Sequence, residues 1–500
     1  MKCTKLKFAL LLILTLLIAC SHTSPNATKV KSGPFRNADA KAAYSIDTLI
    51  HNSPTEMAFW GVQVQDAKTG EIIYSKNPNK IFMPASNMKL YTTSTALQLL
   101  GPDYRYHTAF TTTGSIENGT LLGDIIINGS GDPTWSWRFF NDSHDSLFIR
   151  FADSLKALGI NKIDGRIIGN DNIFDDQALG YGWSWDDEPY YYAAQLSGLS
   201  YNENYVDVIV TPGEVGELVH LEKRPNTHYL TIKNELVTVH PDSTGKWNNG
   251  RDRATNKGWF RGEFSASKEK KEDALTVENP TLFTATLFKE VLESQGITVS
   301  GEPVDLDDLF LELDSTLIDT LFLYTSHPMS KIIEMVNKPS QNFIAETLLK
   351  TIGVELGKEG STEEGIRLEM EMWDSLGMNT RDLKILDGSG LSRHNVVSPY
   401  HTTTLLQLLW EHEYRDIFIE SLPIAGIEES TLENRMKNSI AAGRVHAKTG
   451  YIGRARTLSG YVYTLSGRTI IFSIMVNHYT VPTSDINELQ DKIGIILARL

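Results

Sequence analysis

Cysteine is almost missing from this chain: there are two, Cys3 and Cys20. Both lie in the first twenty positions, so no disulfide framework holds the rest of the chain together. Positive charge is also short. Lys and Arg number 47 against 62 Asp and Glu, a net −15, and this argues against a nucleic acid partner, which needs a basic patch. No apolar run reaches the roughly 18 residues of a spanning helix. The thirteen histidines include no His-x-x-x-His pair with a metal-site glutamate. Asp171, Asn172, Asp175 and Asp176 miss the spacing of a calcium loop and read as turn acids. Neither a metal nor another cofactor is therefore expected. Internal repeats are absent as well.

What remains has the balance of a globular protein, 41% hydrophobic and 22% charged. Its length predicts two or three domains rather than one core. The start of the chain has its own character. Lys2, Lys5 and Lys7 precede an apolar run over residues 8–19, the pattern of a secretory signal peptide. The run closes Leu17-Ile18-Ala19-Cys20 and resembles the lipobox of bacterial lipoproteins, in which the cysteine is lipidated and becomes the first mature residue. Residues 1–19 read as signal and residues 20–44 as a flexible tether. Loss of residues 1–19 removes three lysines and no acid, so the mature charge becomes −18.

Residues 59–64 and 72–74 alternate as two strands around a Lys68-Thr69-Gly70 turn. A helix follows, with Leu90, Ala96, Leu97 and Leu100 able to bury one face. From 101 to 278 short β-like runs punctuated by Gly, Asn and Asp predominate. Helical stretches interrupt near 147–158 and, loosely, 189–196. The most polar part, 211–273, reads as a possible nested subdomain. From 279 the helical period returns, at 281–295, 328–337, 342–353, 362–376 and 399–410. Three strands (444–448, 456–465, 469–477) and a helix over 484–500 close the chain. These features predict an α+β fold: a discontinuous catalytic domain from residues 45–100 and 279–500, with a β-rich insertion at 101–278.

Ser86-x-x-Lys89 opens the helix after Pro84. Residues three apart share a helix face, and a serine hydroxyl needs a base within reach to act as a nucleophile. The same spacing recurs at Ser243/Lys246, Ser265/Lys268 and Ser267/Lys270, all in a polar stretch without an apolar helical face. Two further short motifs follow in order, Ser340-Gln341-Asn342 between two helices and Lys448-Thr449-Gly450 at a strand end. Each has decoys: Ser-x-Asn at Ser24, Ser75 and Ser200, and Lys-Thr-Gly at Lys68. Order, spacing and flanks separate them.

In this order the three motifs resemble those of penicillin-binding proteins and serine β-lactamases. The flanks HPMSKIIEMVNKPSQNFIAETLLKTIG, LDGSGLSRHNVVSP, SLPIAGIEESTLENRM and GRVHAKTGYIGRARTLSGYV are similar to class C low-molecular-mass penicillin-binding proteins, which are D-alanyl-D-alanine carboxypeptidases and endopeptidases. NGSGDPT and GLSYNENYV resemble the inserted region of that family. The resemblance implies a penicillin-binding-protein/β-lactamase-like domain, an antiparallel sheet flanked by helices. It implies peptidoglycan stem peptides as substrates and β-lactams as covalent inhibitors.

It also implies roles. Ser86 is the nucleophile and Lys89 its base, made neutral by burial and by the nearby Lys448 cation. Ser340 relays the proton to the leaving amine, and Asn342 offers an amide to substrate or to Lys89. Lys448 and Thr449 bind the terminal carboxylate, and Gly450 lets substrate lie along the strand. The backbone N–H groups of Ser86 and Tyr451 form the oxyanion hole. Gln341 stands where the family often has Asp. Asp387-Gly388-Ser389-Gly390 lacks the first glycine of a nucleophile elbow and reads as a tight loop near the site. Tryptophans 135, 137, 183 and 185 read as domain packing. A β-lactamase or a silent wall-binding lipoprotein are the competing functions. The lipidated Cys20 implies a periplasmic protein whose only membrane contact is the lipid.

Overall fold

The computed structural model describes residues 37–140, 143–309 and 319–500. The signal sequence and Cys20 lie outside the described residues. The two ends of the chain meet in one five-stranded antiparallel sheet. Its order is Val445–Ile452, Ala455–Tyr463, Thr469–Asn477, Phe59–Asp66, Ile72–Lys76. Side chains alternate across a strand, and here both faces are covered. Ile470, Phe472, Ile474 and Val476 join Ile46 and Ile50 of the helix Ala38–His51 and Ile486 and Ile493 of the helix Thr483–Ala498. Ile471 and Met475 face the opposite layer, with Leu90, Leu405 and Leu406.

The helix Ala38–His51 begins inside the stretch read as tether. Asn37 Oδ1 accepts the Ala40 N–H at 2.9 Å and caps it, and Ala42, Ile46 and Ile50 are buried. Residues 38–44 are therefore helix rather than tether. The helix Met88–Leu100 differs from expectation too. It buries every residue from Met88 to Leu97 rather than one face, as a central helix does. Its polar run survives burial because the Thr93, Ser94 and Thr95 hydroxyls donate to the carbonyls of Lys89, Leu90 and Tyr91, at 2.5, 2.5 and 2.9 Å.

Among the described residues the β-rich region builds four further sheets. The largest runs Val304–Asp305, Ile167–Asn170, Ile125–Asn128, His107–Thr112, Asp319–Thr325. Its outer strands correct the domain boundary read at 278. The helix Pro280–Ser294 buries Phe283, Leu287 and Phe288 against Phe110, Phe148 and Ile167 of the β-rich core. The chain returns to the central sheet's layers only after Thr325, at the helix Met329–Asn337. An apolar stripe announces a helix but not which core will receive it. The polar stretch within 211–273 forms a three-stranded sheet of its own, Thr231–Val239, Lys257–Ser265 and Trp247–Arg251. Its Leu236, Phe260 and Phe264 belong to the same core as Val206 and Val208. The loose helix at 189–196 is only the 3-10 turn Tyr191–Ala193.

Candidate active site

Ser86 sits in the 3-10 turn Ala85–Asn87, which runs directly into the helix Met88–Leu100. Ala85 has φ +46°, a left-handed conformation that costs an L-residue about 1–2 kcal/mol. Two glycines permit it. A Cβ on Gly390 would stand 1.9 Å from the Ala85 carbonyl oxygen, and one on Gly450 would stand 2.1 Å from Thr457 Oγ1 and 2.8 Å from the Pro84 carbonyl. Through that space Thr457 Oγ1 donates to the Pro84 carbonyl at 2.8 Å. Asn87 Nδ2 donates to the Lys448 carbonyl at 2.8 Å, and Ser459 Oγ to Asn87 Oδ1 at 2.8 Å. The turn that carries Ser86 is thus clamped to the strand that carries the third motif. Strain held by its surroundings in this way is a mark of functional sites.

The three motifs converge. Lys89 Nζ donates to Ser86 Oγ at 3.1 Å, to Asn342 Oδ1 at 2.6 Å and to the Ser389 carbonyl at 2.8 Å. Lys448 Nζ donates to Ser340 Oγ at 2.7 Å and to the Thr449 carbonyl at 3.0 Å. Both lysines are fully buried. Burial lowers Lys89 to about 7, against the opposing pull of Glu346 and Asp387. Burial, with the neighbouring Lys89 and Arg456 cations, also holds Lys448 well below its ordinary value. Burial is thus the main agent at Lys89, where the sequence also suggested the Lys448 cation.

Glu346, one helical turn after Asn342, accepts the N–H groups of Gly388 and Ser389 at 2.9 and 2.8 Å. It thereby sets the Ser389 carbonyl against Lys89. Burial and the nearby Asp387 raise Glu346 to about 8. The Asp387-Gly388-Ser389-Gly390 loop therefore braces Lys89, and Gly390 makes room for Ala85. Asp387 also accepts from Trp183 Nε1 at 3.0 Å, which ties the loop to the β-rich region.

The strand Val445–Ile452 is the edge of the central sheet. Its first half is covered: Ala447 N–H donates to the Pro423 carbonyl, and the Val445 carbonyl accepts from Ala425 N–H, each at 2.9 Å. Backbone groups alternate along an antiparallel strand, so the Tyr451 N–H faces the same open side. The Ser86 nitrogen lies 3.1 Å from the Cβ direction of Gly450. These are the two donors expected for an oxyanion. A cavity of about 630 Å³ opens there, bounded by Ser86, Ser340, Asn342, Thr449, Tyr451 and Arg456.

Of the eight catalytic and substrate residues named from the sequence, Ser86, Ser340, Asn342, Thr449 and Tyr451 line this cavity, and Lys89, Lys448 and Gly450 stand directly against them. The sequence did not disclose the wall supplied by the β-rich region. Asp187, Tyr191 and Tyr192 line the cleft, and the Tyr192 carbonyl accepts from Asn342 Nδ2 at 2.7 Å. Thr449 Oγ1 meets Thr431 Oγ1 at 2.8 Å; Thr431 lay unremarked inside one of the resembling flanks. Gln341 points away from Ser86. With its amide oriented to suit both partners, it donates to Glu203 Oε2 at 2.9 Å and accepts from Arg138 at 3.2 Å. The decoys are elsewhere: Lys68-Thr69-Gly70 is a hairpin turn whose amides bond Asp66, and Lys246, Lys268 and Lys270 are exposed. Among the turn acids, Asp171 accepts from Ser197 Oγ and Asp175 pairs with Lys350. Trp135 packs in the β-rich core, whereas Trp185 is exposed under Arg253.

Comparison with known proteins agrees with this arrangement. A D-alanyl-D-alanine carboxypeptidase of an Actinomadura species is 32% identical over 469 residues, covering 91% of this chain and 84% of the relative. A second, from Haemophilus influenzae, is 24% identical over 431 residues, covering 84% and 85%. Among solved structures, penicillin binding protein 4 of Haemophilus influenzae superposes with a TM-score of 0.78 at 21% identity, covering 91% of this chain and 99% of that one. A structure of the same protein complexed with a β-lactam gives 0.72. These likenesses show a shared penicillin-binding-protein fold of mixed α and β. The match that fixes the lineage is broader than any one relative, since it runs from residue 42 to residue 500 and takes in all three motifs and the β-rich region between them: the chain belongs to the D-Ala-D-Ala carboxypeptidase 3 (S13) family.

Proposed function

We propose that the protein is a serine DD-peptidase that cleaves the D-Ala–D-Ala bond of peptidoglycan stem peptides through an acyl-enzyme on Ser86. The observation that carries this reading is a hydroxyl 3.1 Å from a buried lysine lowered to about 7. A large fraction of that amine is neutral at ordinary pH and able to accept a proton. Ser86 Oγ attacks the carbonyl of the penultimate D-Ala as its proton passes to Lys89 Nζ. The oxyanion is held by the N–H groups of Ser86 and Tyr451, each such donor being worth roughly 3–4 kcal/mol of barrier. The tetrahedral adduct collapses and the C–N bond breaks; the proton that Lys89 took from Ser86 passes by way of the Ser340 hydroxyl, which Lys448 holds in place, to the departing D-Ala amine, and Lys89 is left neutral. Water, deprotonated by Lys89, then attacks the acyl-enzyme and releases the shortened peptide.

Asn342 orients Lys89 while its own amide is fixed by Tyr192. Thr449 faces the C-terminal carboxylate, Lys448 holds the Ser340 hydroxyl, and Gly450 keeps the strand close to the nucleophile's turn. β-Lactams acylate the same hydroxyl. The apolar run and lipobox pattern at the start of the chain support a periplasmic protein anchored by a lipid on Cys20; among the described residues no helix is long and apolar enough to cross a membrane.

Mass spectrometry of muropeptides after incubation with the protein tests the reading. Loss of one alanine from pentapeptide stems is expected, and splitting of cross-linked dimers would add endopeptidase action. Unchanged masses for both would overturn the proposal. Ser86→Ala is expected to abolish covalent labelling by penicillin, and full labelling of that variant would mean the nucleophile lies elsewhere.

A further inference from the structure

Arg456 lines the active-site cavity beside Ser86, Thr449 and Tyr451. It stands on the strand next to the edge strand, directly opposite Tyr451 in the antiparallel register. Its guanidinium is mostly spared from ion pairing. Nε donates to Asn487 Oδ1 at 2.6 Å, and Nη1 reaches the Gly450 carbonyl only at 3.5 Å. Among the described residues no carboxylate forms an ion pair with it. Its neighbour Arg435 takes that role, bonding Asp491 Oδ1 at 2.7 Å and also touching Asn487. A partly buried arginine without an anion is costly unless an anion arrives. The guanidinium fork also matches a carboxylate in shape.

Arg393 also lines the cavity, with Nη1 donating to the Gly453 carbonyl at 2.9 Å, and Lys448, the cation of the third motif, is poorly suited to that task. Lys448 Nζ is enclosed, with Ser340 Oγ and the Thr449 carbonyl already as acceptors, and its charge is opposed by burial and by two neighbouring cations. The residue after the third motif, Tyr451, is 58% exposed, and its ring centre lies 5.7 Å from the Arg456 guanidinium carbon. Arg456 remains a charged donor at the cavity wall: burial and Arg435 lower it only to about 10.

We propose that Arg456 supplies the positive charge that recognises the free C-terminal carboxylate of the substrate, with Thr449 as the neutral partner. This deepens the DD-peptidase reading and rests on it. Lys448 is left to the proton path through Ser340.

Two donor peptides test the assignment, one ending in D-Ala–D-Ala as the free acid and the other as the C-terminal amide. The wild type is expected to favour the acid. In Arg456→Gln the acid-over-amide ratio of kcat/KM is expected to fall roughly 10- to 100-fold, the span of a charge-assisted hydrogen bond. Arg456→Lys should recover part of that ratio. If both peptides lose rate in parallel and the ratio is kept, Arg456 acts only on the fold and the proposal is overturned. A ratio unchanged in Arg456→Gln at undiminished rates overturns it as well. If the wild type itself cleaves neither peptide, it is the DD-peptidase reading that fails.

Discussion

Lys448 Nζ donates to Ser340 Oγ at 2.7 Å, and Ser340 holds a left-handed backbone, φ +69°, to receive it. The second and third motifs are therefore joined by a bond that an ordinary backbone at residue 340 would not present. Ser340→Ala removes the acceptor and is expected to slow acylation by labelled penicillin about 10²- to 10⁴-fold, the range of a positioned proton-transfer group. Ser340→Thr keeps a hydroxyl but sets a β-branched residue at positive φ. It is expected to melt at a lower temperature than Ser340→Ala in parallel thermal scans.

Lys89 is lowered to about 7 by burial, and its neutral form is the one that accepts the Ser86 proton. The acylation rate constant is thus expected to rise with pH and level off above a midpoint near 7. Stopped-flow acylation from pH 5 to 9 would check this. A rate that stays flat across that window would show that another group is the base.

Glu369 is wholly buried on the helix Thr362–Ser375, without an ion-pair partner among the described residues. Burial raises it from 4.5 to about 8. Between those values the unfolded chain has released a proton that the folded chain retains. Its stabilising effect is complete below about pH 4.5 and is lost as pH climbs toward 8, with a slope of at most about 1.4 kcal/mol per pH unit for one proton. Glu369→Gln should flatten that decline and raise the melting temperature at pH 8 relative to wild type. Calorimetry at pH 5, 6.5 and 8 measures both effects.

Gly390→Ala would bring a Cβ to 1.9 Å from the Ala85 carbonyl, at a φ of +85°. The variant is expected to lose penicillin acylation by more than tenfold even where its far-ultraviolet spectrum stays native, because the displaced atoms carry Ser86. Gly443→Ala, also at positive φ but with nothing within 4 Å of the new Cβ, is the control. It should pay only the backbone cost of about 1–2 kcal/mol and keep its acylation rate.

The groups proposed to react were legible as a cluster because the chemistry compresses each into a short local pattern. Ser86 and Lys89 need only one helical turn, and the order of the three motifs with their flanks separated them from chance matches. The supports were not legible. Glu346 looks like any helical glutamate until Gly388 and Ser389 are seen turning their amides toward it. Arg456 falls within a strand that alternation alone assigns, and its missing anion is a property of three-dimensional surroundings. The boundary at 278 failed for the same reason. Phe283, Leu287 and Phe288 announce a buried stripe, but only long-range packing decides that it faces Phe110 and Phe148. Burial of the whole helix, rather than the one face of Leu90, Ala96, Leu97 and Leu100, was hidden because the back-bonding of Thr93, Ser94 and Thr95 leaves no signature in the residue order.

Asn87, beside the nucleophile, takes its clamp from a carbonyl 361 positions later in the chain. Synthesis proceeds from the N-terminus, so the Ser86 turn emerges long before the strand that fixes it. On the proposed mechanism the alcohol stays disarmed until the last hairpin docks, and a product cut short before residue 445, lacking both Lys448 and the Asn87 clamp, would be inert.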